Sequence, residues 1–254
     1  MKALQVAASG MSAQQTRIDN IANNLANVST TGYKKSREAF EDLFYEELTH
    51  GGMGASTARV EVGSGVRLSA IEKDHSSGAL EQTGNPLHVA IQGDGFFVLE
   101  TVDGEPVYTR DGSFTLDGDG QLMSASGYAV AGRIDIPMDA TDLEILPDGT
   151  IQAVMEGDTD YTHLGQLEVV RFVHPAGLKA LGGNLYAETP ASGYAELADV
   201  GNTTSVLQGY LEGSNVDVAE ELVEMITAQR AYELNSKVIQ AADETLQVAA
   251  NIRR

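Results

Sequence analysis

The feature that most constrains this chain is a seven-residue repeat at both of its ends. Near the N-terminus Leu4, Met11, Ile18 and Leu25 fall seven residues apart, with Ala8, Gln15 and Ala22 at the intervening positions. Near the C-terminus Val218, Met225, Tyr232, Ile239 and Leu246 repeat the spacing, with Leu222, Gln229, Ser236 and Asp243 between them. A heptad of this kind gathers its side chains on one stripe of an α-helix, so a helix is expected at each end, pressed against a partner along that stripe. Asp217, followed three residues later by Glu220, has the form of a capping box and sets the start of the second helix near residue 217. The intervening positions are mostly Ala, Gln, Ser or Asp, so either helix alone buries little apolar surface. Such segments are expected to gain order from neighbours.

Between the two ends the pattern changes. Leu87, Val89 and Ile91 alternate with other residues, and Phe97 to Leu99 follows a Gly-Asp-Gly turn. In YTRDGSFTLDGDGQL, residues 108 to 122, Asp111-Gly112 and the Asp117 to Gly120 cluster punctuate short apolar runs. The same rhythm continues through Ile134 to Ile136, Ile145 to Ile151, Leu167 to Val173 and Asn184 to Ala187. Short alternating runs separated by turn residues predict a mostly antiparallel β domain. Phe40, Leu43, Phe44 and Leu48 instead fall at helical spacing, and His50 to Ala58 is rich in glycine, which predicts a short helix and then a flexible joint. The expected fold class is therefore α+β. Residues 1–36 and 213–254 form the two halves of a paired-helix, coiled-coil domain, 37–66 connect, and 67–212 form the β domain.

Charge narrows the function. With 16 basic and 37 acidic side chains the formal charge is −21. Residues 1–37 carry +4 and residues 216–254 carry −3, so −22 lies between them. A basic face for nucleic acid is absent from this pattern, and attachment to an anionic membrane is disfavoured. The first twenty residues contain no continuous apolar run, so neither a secretory leader nor membrane insertion is expected. There is no Cys, and His50, His75, His88, His163 and His174 never lie three or four apart, so no thiolate site and no helical metal pair is written here. Asp117-Gly-Asp119-Gly begins like a calcium loop, but Gln121, Leu122 and Tyr128 stand where ligands and a glycine are needed, which favours a hairpin turn. Nucleophile elbows, phosphate loops and zinc-protease motifs are missing, so no catalytic, cofactor-binding or metal residues are assigned and the chain is not expected to be an enzyme. A glycan-binding β domain is disfavoured by the absence of Trp, and a peptidoglycan hydrolase would need a carboxylate pair in a cleft.

The run ANNLANVSTTGYK, residues 22 to 34, ends in a turn in which Gly32 can take a positive φ. It resembles the signature of the bacterial flagellar rod and hook proteins, here Asn23, Asn24, Leu25, Asn27, Gly32 and Tyr33. SNVDVAEELVEMITAQRAYELNSK, residues 214 to 237, resembles the matching C-terminal signature, beginning at Ser214, Asn215 and Val216. VAIQGDGFFVL, YTRDGSFTLDGDGQL, NLYAET and LQGYLEGSNV are similar to the distal-rod members of that family. The resemblance implies a structural subunit that polymerises helically with copies of itself into a drive-shaft carrying torque from motor to hook. A proximal rod or hook protein is the alternative within the family. It also implies that the seam residues Leu4, Met11, Ile18, Leu25, Val218, Leu222, Met225, Tyr232, Ile239 and Leu246 serve assembly. Implied partners are proximal rod proteins, the hook protein, the L/P ring bushing and the flagellar export apparatus. The implied location is the basal-body rod, spanning the periplasm, reached without a cleaved signal peptide.

Overall fold

The computed structural model describes residues 2–48, 60–157, 160–200 and 204–252. Two compact units emerge from its contacts. The first holds residues 1–26, 36–72 and 217–254, and the second holds 27–35 and 73–216. The expected Gly-rich joint, together with His50, lies outside the described residues.

In the first unit, helix α1 (Lys2–Ala26) packs antiparallel on helix α2 (Val218–Ile252). The start of α2 is fixed as the sequence predicts, because the Asp217 carboxylate accepts from the backbone N–H of Ala219 at 2.8 Å and of Glu220 at 3.2 Å. The side of α1 holding Ser9 and Asn20 is tied to strands. Ser9 Oγ accepts from Val66 N, and Asn20 Nδ2 donates to Ser36 O at 2.8 Å.

The helix expected over Arg37–Leu48 is not formed. Ser36–Asp42 is a strand paired with Val66–Lys73, and Tyr45–Leu48 is a strand paired antiparallel with Val60–Gly63. The reason is local and strong. Asn24 Oδ1 accepts from Ser36 N at 2.9 Å while Asn24 Nδ2 donates to Ser36 O at 3.0 Å, so both backbone groups of Ser36 are held by one amide and the chain leaves it extended. Phe40 and Phe44, two of the residues at helical spacing, have no core to face: Phe44 is 92% exposed. Pairing with a neighbouring strand outweighs a short periodic coincidence.

The second unit is antiparallel β throughout its named strand pairs. Its largest sheet runs through Lys179–Gly182, Leu185–Ala187, Pro106–Thr109, Phe96–Glu100, Ala129–Val130, Leu122–Ser124 and Phe114–Leu116. Val169–Arg171 joins it by pairing with Phe96–Glu100. The run Phe96-Phe97-Val98-Leu99 is uninterrupted in its hydrophobicity because this strand is buried on both faces. Phe97 and Leu99 enter one core with Phe114, Leu122, Ile134 and Ile151, whereas Phe96 and Val98 enter another with Tyr108, Phe172 and Tyr186. A three-stranded meander, Ala140–Ile145, Thr150–Met155 and Tyr161–Gln166, contributes Ile145 and Ile151 to the first core. The Asp117 turn is a hairpin turn. Its carboxylate accepts from the N–H groups of Asp119 and Gln121, at 2.9 and 2.8 Å.

These placements predict unequal penalties. Phe114 is fully buried and meets Phe97 edge-on, so Phe114→Ala should lower unfolding free energy by about 3–5 kcal/mol. Phe44→Ala should stay within about 0.5 kcal/mol. Urea unfolding of the full chain followed by circular dichroism measures both.

Candidate assembly site

The helix pair does not meet along the stripes named from the sequence. The contacts on α1 are Gly10, Arg17 and Asn24, themselves seven apart. A Cβ on Gly10 would lie 3.0 Å from Asn235 Nδ2, Arg17 Nη2 donates to Glu224 Oε2 at 2.9 Å, and Asn24 Nδ2 donates to the buried Glu221 at 3.3 Å. On α2 the inward positions are Glu221, Ala228, Asn235 and Ala242, again a heptad. On α1 the inward row lies one residue, about 100° around the helix, from the Leu4 row; on α2 it lies about 60° from the Val218 row and about 100° from the Leu222 row. These contacts are made by small and polar groups, with Ile21 the one large apolar side chain of α1 that is fully buried among the described residues. The half-exposed ion pair among them, Arg17 with Glu224, is worth under about 1 kcal/mol.

The predicted seam residues consequently flank that face or point away from it. Leu4, Met11, Ile18 and Leu25 on α1 are half-buried, as are Met225 and Ile239 on α2. Val218, Leu222, Tyr232 and Leu246 are exposed. Val223, Ile226, Leu234 and Val238, which the heptad reading left out, are exposed as well. Exposure of these large apolar residues of α2 runs from 38% at Tyr232 to 64% at Val223, an unusual apolar load for one helix in water.

The signature residues divide between two tasks. Asn23 is exposed on α1, Leu25 is half-buried, and Asn24 pins Ser36 as described. Asn27, Gly32, Tyr33, Ser214, Asn215 and Val216 belong to the second unit, where most of them build one junction. Gly32 has φ +66°, donates its N–H to Glu212 O at 2.8 Å, and could not carry a side chain, since a Cβ would stand 2.7 Å from Asp111 N. Asn215 Oδ1 accepts from Lys35 N at 2.7 Å and its Nδ2 donates to Asp74 O at 2.8 Å. Asn184 Nδ2 donates to Thr31 O at 2.7 Å.

At the centre lie three charged side chains that the sequence reading did not single out as a site. Lys34, Arg110 and Glu212 are at most 2% exposed. Lys34 Nζ donates to Glu212 Oε1 at 2.6 Å and to Ser76 O at 2.7 Å. Arg110 Nη1 donates to Glu212 Oε2 at 3.2 Å, and its Nη2 to Gly93 O at 2.8 Å. Gly78 N also donates to Glu212 Oε1, at 2.8 Å. Burial pushes the Lys34 ammonium and the Arg110 guanidinium below their ordinary values, while Glu212 pulls each back up. Nearby, Lys73 Nζ donates to Lys34 O at 3.0 Å and sits 4.4 Å from the centre of the Tyr33 ring. His75 packs edge-on against Phe96 and Tyr186, and burial, reinforced by the charges of Lys34, Arg110 and Lys73 against Asp74, lowers its imidazole to about 4. The cluster offers chemistry of position only. The Lys34 ammonium and the Glu212 carboxylate are spent on neighbours, and the described residues contain no group of three or more His, Asp or Glu able to hold a metal ion.

Two measurements test this junction. Glu212→Gln leaves two buried cations without their carboxylate and should cost about 3–5 kcal/mol. Lys34→Met leaves the Arg110–Glu212 pair intact and should cost at least about 1 kcal/mol less by urea unfolding. The second concerns acid. His75 is neutral when folded down to about pH 4, whereas the unfolded chain protonates it near 6.5. Between those values the unfolded state binds the extra proton, so stability falls as pH is lowered through that window and is unaffected by this group above it. His75→Phe should reduce the loss between pH 6.5 and 4 by about 3 kcal/mol.

Comparison with known proteins now connects these observations. A family model described as flagella basal body rod protein matches residues 4–34, one described as flagellar hook protein FlgE/F/G D1 domain matches 90–153, and one described as flagellar basal body rod FlgEFG protein C-terminal matches 207–252. The flagellar basal-body rod protein FlgG of Agrobacterium fabrum is 47% identical, with 98% of each chain covered. That of Borreliella burgdorferi is 42% identical over 100% of this chain and 99% of its own, and that of Bacillus subtilis is 40% identical over 100% of both. Agreement at this level along the whole length, with both signatures meeting in one junction, shows that the chain belongs to the FlgG family of flagellar basal-body rod proteins.

Proposed function

We propose that this protein is the structural subunit of the distal rod, polymerising helically into the shaft that carries torque from motor to hook. Its family is a structural rod family and not an enzymatic one, and it assembles with other rod and hook proteins in the basal body. The observation that carries the reading is the unpartnered apolar load of α2. Val218, Leu222, Tyr232 and Leu246 lie outside the face that meets α1, as do Val223, Ile226, Leu234 and Val238. Neighbouring copies would cover these residues and the α1 row Leu4, Met11, Ile18 and Leu25, closing a coiled-coil inner domain around the intramolecular pair.

In that arrangement the proximal rod proteins and the hook protein cap the two ends of the polymer, and the L/P ring forms a bushing around it. Residues 38–215 hold 29 acids and 7 bases, which suits a hydrated outer face that does not adhere to the bushing. Delivery through the flagellar export apparatus without a cleaved leader is part of the same reading, and placement along the rod across the periplasm follows from it. No described helix is long and apolar enough to cross a membrane.

Leu222→Asp is the sharpest test. The residue is 43% exposed, so the charge should change monomer stability by no more than about 0.5 kcal/mol yet abolish polymerisation, scored by electron microscopy and by swimming. Leu25→Asp and Ile239→Asp should also abolish assembly while near-ultraviolet circular dichroism of the β unit stays unchanged. Filaments from any of the three would defeat the seam.

A further inference from the structure

Two apolar features of the second unit lie on opposite sides of its central strand, Phe96–Glu100. Along that strand Phe97 and Leu99 turn to one core, Phe96 and Val98 to the other. On the first side a groove of about 500 Å³ opens over Leu87, Ile136, Ala140 and Leu143, all of which belong to the first core or pack against it. Met138, 84% exposed, lines the same groove. On the second side Val173, Tyr194 and Leu197 are each at least 75% exposed. Val173 follows Phe172 of the second core, Tyr194 precedes Ala195, which packs on that core, and Leu197 pairs with its Val170. The two segments run side by side: the His174 N–H donates to Ser192 O at 3.2 Å, and a Cβ on Gly193 would stand 3.8 Å from Val173 Cβ. Three large apolar side chains left in water at one sheet edge mark a docking surface.

Charge decides what each surface can meet. Asp117 and Asp142 line the groove, and Asp119, Asp135 and Asp139 are chain neighbours of lining residues. No Lys or Arg lines it, and among the described residues none of these five carboxylates forms an ion pair. The bonds that Asp117 and Asp142 accept come from neutral donors, backbone N–H groups and the Tyr161 hydroxyl. Such a rim repels another acidic surface. Over residues 38–215, where acids outnumber bases 29 to 7, the longest stretch without an acid is 169–187, which holds Arg171, His174 and Lys179. Glu188, Glu196 and Asp199 follow it, so the patch around Val173, Tyr194 and Leu197 is close to neutral on a unit that is otherwise strongly acidic.

We propose that the Val173, Tyr194 and Leu197 patch of one copy docks in the Leu87, Met138 and Leu143 groove of a second copy of this chain. The occupant rests on the rod reading above, which supplies the neighbour, and on the charge difference, which singles out the apolar surface that an acidic rim does not repel. Arg171 and Lys179, both exposed, then approach the carboxylates of that rim. Because the two surfaces lie on opposite sides of one strand, the contact is heterologous: each copy offers a groove to one neighbour and a knob to the next. Contacts of that kind propagate into helical polymers. Tyr194 is the anchor, a rigid ring of the type that dominates interface energetics.

A chain without Cys makes the test direct. Full-length Met138→Cys chains are mixed with Tyr194→Cys chains, polymerised and treated with a short bismaleimide. Links joining position 138 of one chain to position 194 of another support the docking, provided that Val102→Cys, fully exposed on the same unit, gives none with Met138→Cys. Links of 138 to 138, or of 138 to Val223→Cys on α2, in place of 138 to 194 mean a different occupant and overturn it, as do equal links to Val102→Cys. A second measurement reads the rim. Tyr194→Glu should raise the critical concentration for polymerisation about tenfold, whereas Tyr194→Lys should not raise it, because only the carboxylate is repelled. Adding Asp117→Asn and Asp142→Asn should shrink the Tyr194→Glu effect several-fold. No effect of Tyr194→Glu, or equal effects of Glu and Lys, overturns the proposal. A natural chain that forms no polymer by electron microscopy defeats the rod reading and the docking with it, whereas a polymer without the 138 to 194 link defeats the docking alone.

Discussion

Glu212 is held by Lys34, Arg110 and the N–H of Gly78, and this buried carboxylate is the interaction on which the β unit depends. Burying three charges is costly in itself, and replacement by apolar groups of the same shape is often neutral or better for stability. Their value lies in selection. A carboxylate with two cationic partners at defined distances tolerates one register of the segments that bring it in, whereas an apolar plug would accept several. Gly32, Asn184 and Asn215 then lock the same segments through backbone groups, so the junction is specified twice.

A different logic governs the helix pair. Its packed face consists of Gly10, Ala228, Asn235 and a few hydrogen-bonded polar side chains, which bring two backbones close but bury little apolar area. Apart from Ile21, which is 2% exposed, the larger apolar residues described on the two helices are half-buried or exposed. One unit is therefore closed by its own contacts and the other leaves many large apolar side chains of α2 exposed, a division of labour matched to a chain whose family builds rods.

Much of this was legible in the sequence, and the failures have physical causes. Both terminal helices, the Asp217 start, the turns at Asp111 and Asp117, and the positive φ at Gly32 follow from spacing and residue type alone. Periodicity gave the heptads but placed the packed face one residue off, because the eye follows Leu, Ile and Met while the intramolecular face uses Gly, Ala and Asn. Residues 37–48 failed because a side chain twelve residues upstream, Asn24, sets the backbone there, and no local pattern records that. Lys34, Arg110 and Glu212 each sit in a run that resembles the family, yet pairing across 178 residues is invisible until the chain is folded. A lysine two residues after a positive-φ glycine and a lone glutamate in LQGYLEGSNV were the only hints.

That separation of 178 residues has a kinetic consequence. The loop closed by the Lys34–Glu212 contact encloses almost the entire β unit, so this contact is among the most non-local in the chain and its closure entropy must be overcome before it contributes anything. Until residue 212 is available, Lys34 and Arg110 have no carboxylate and stay hydrated, and the strands between them lack their final fastening. A chain presented from its N-terminus thus carries its own delay: Lys34 cannot meet its carboxylate until residue 212 of 254, about four-fifths of the polypeptide, has emerged.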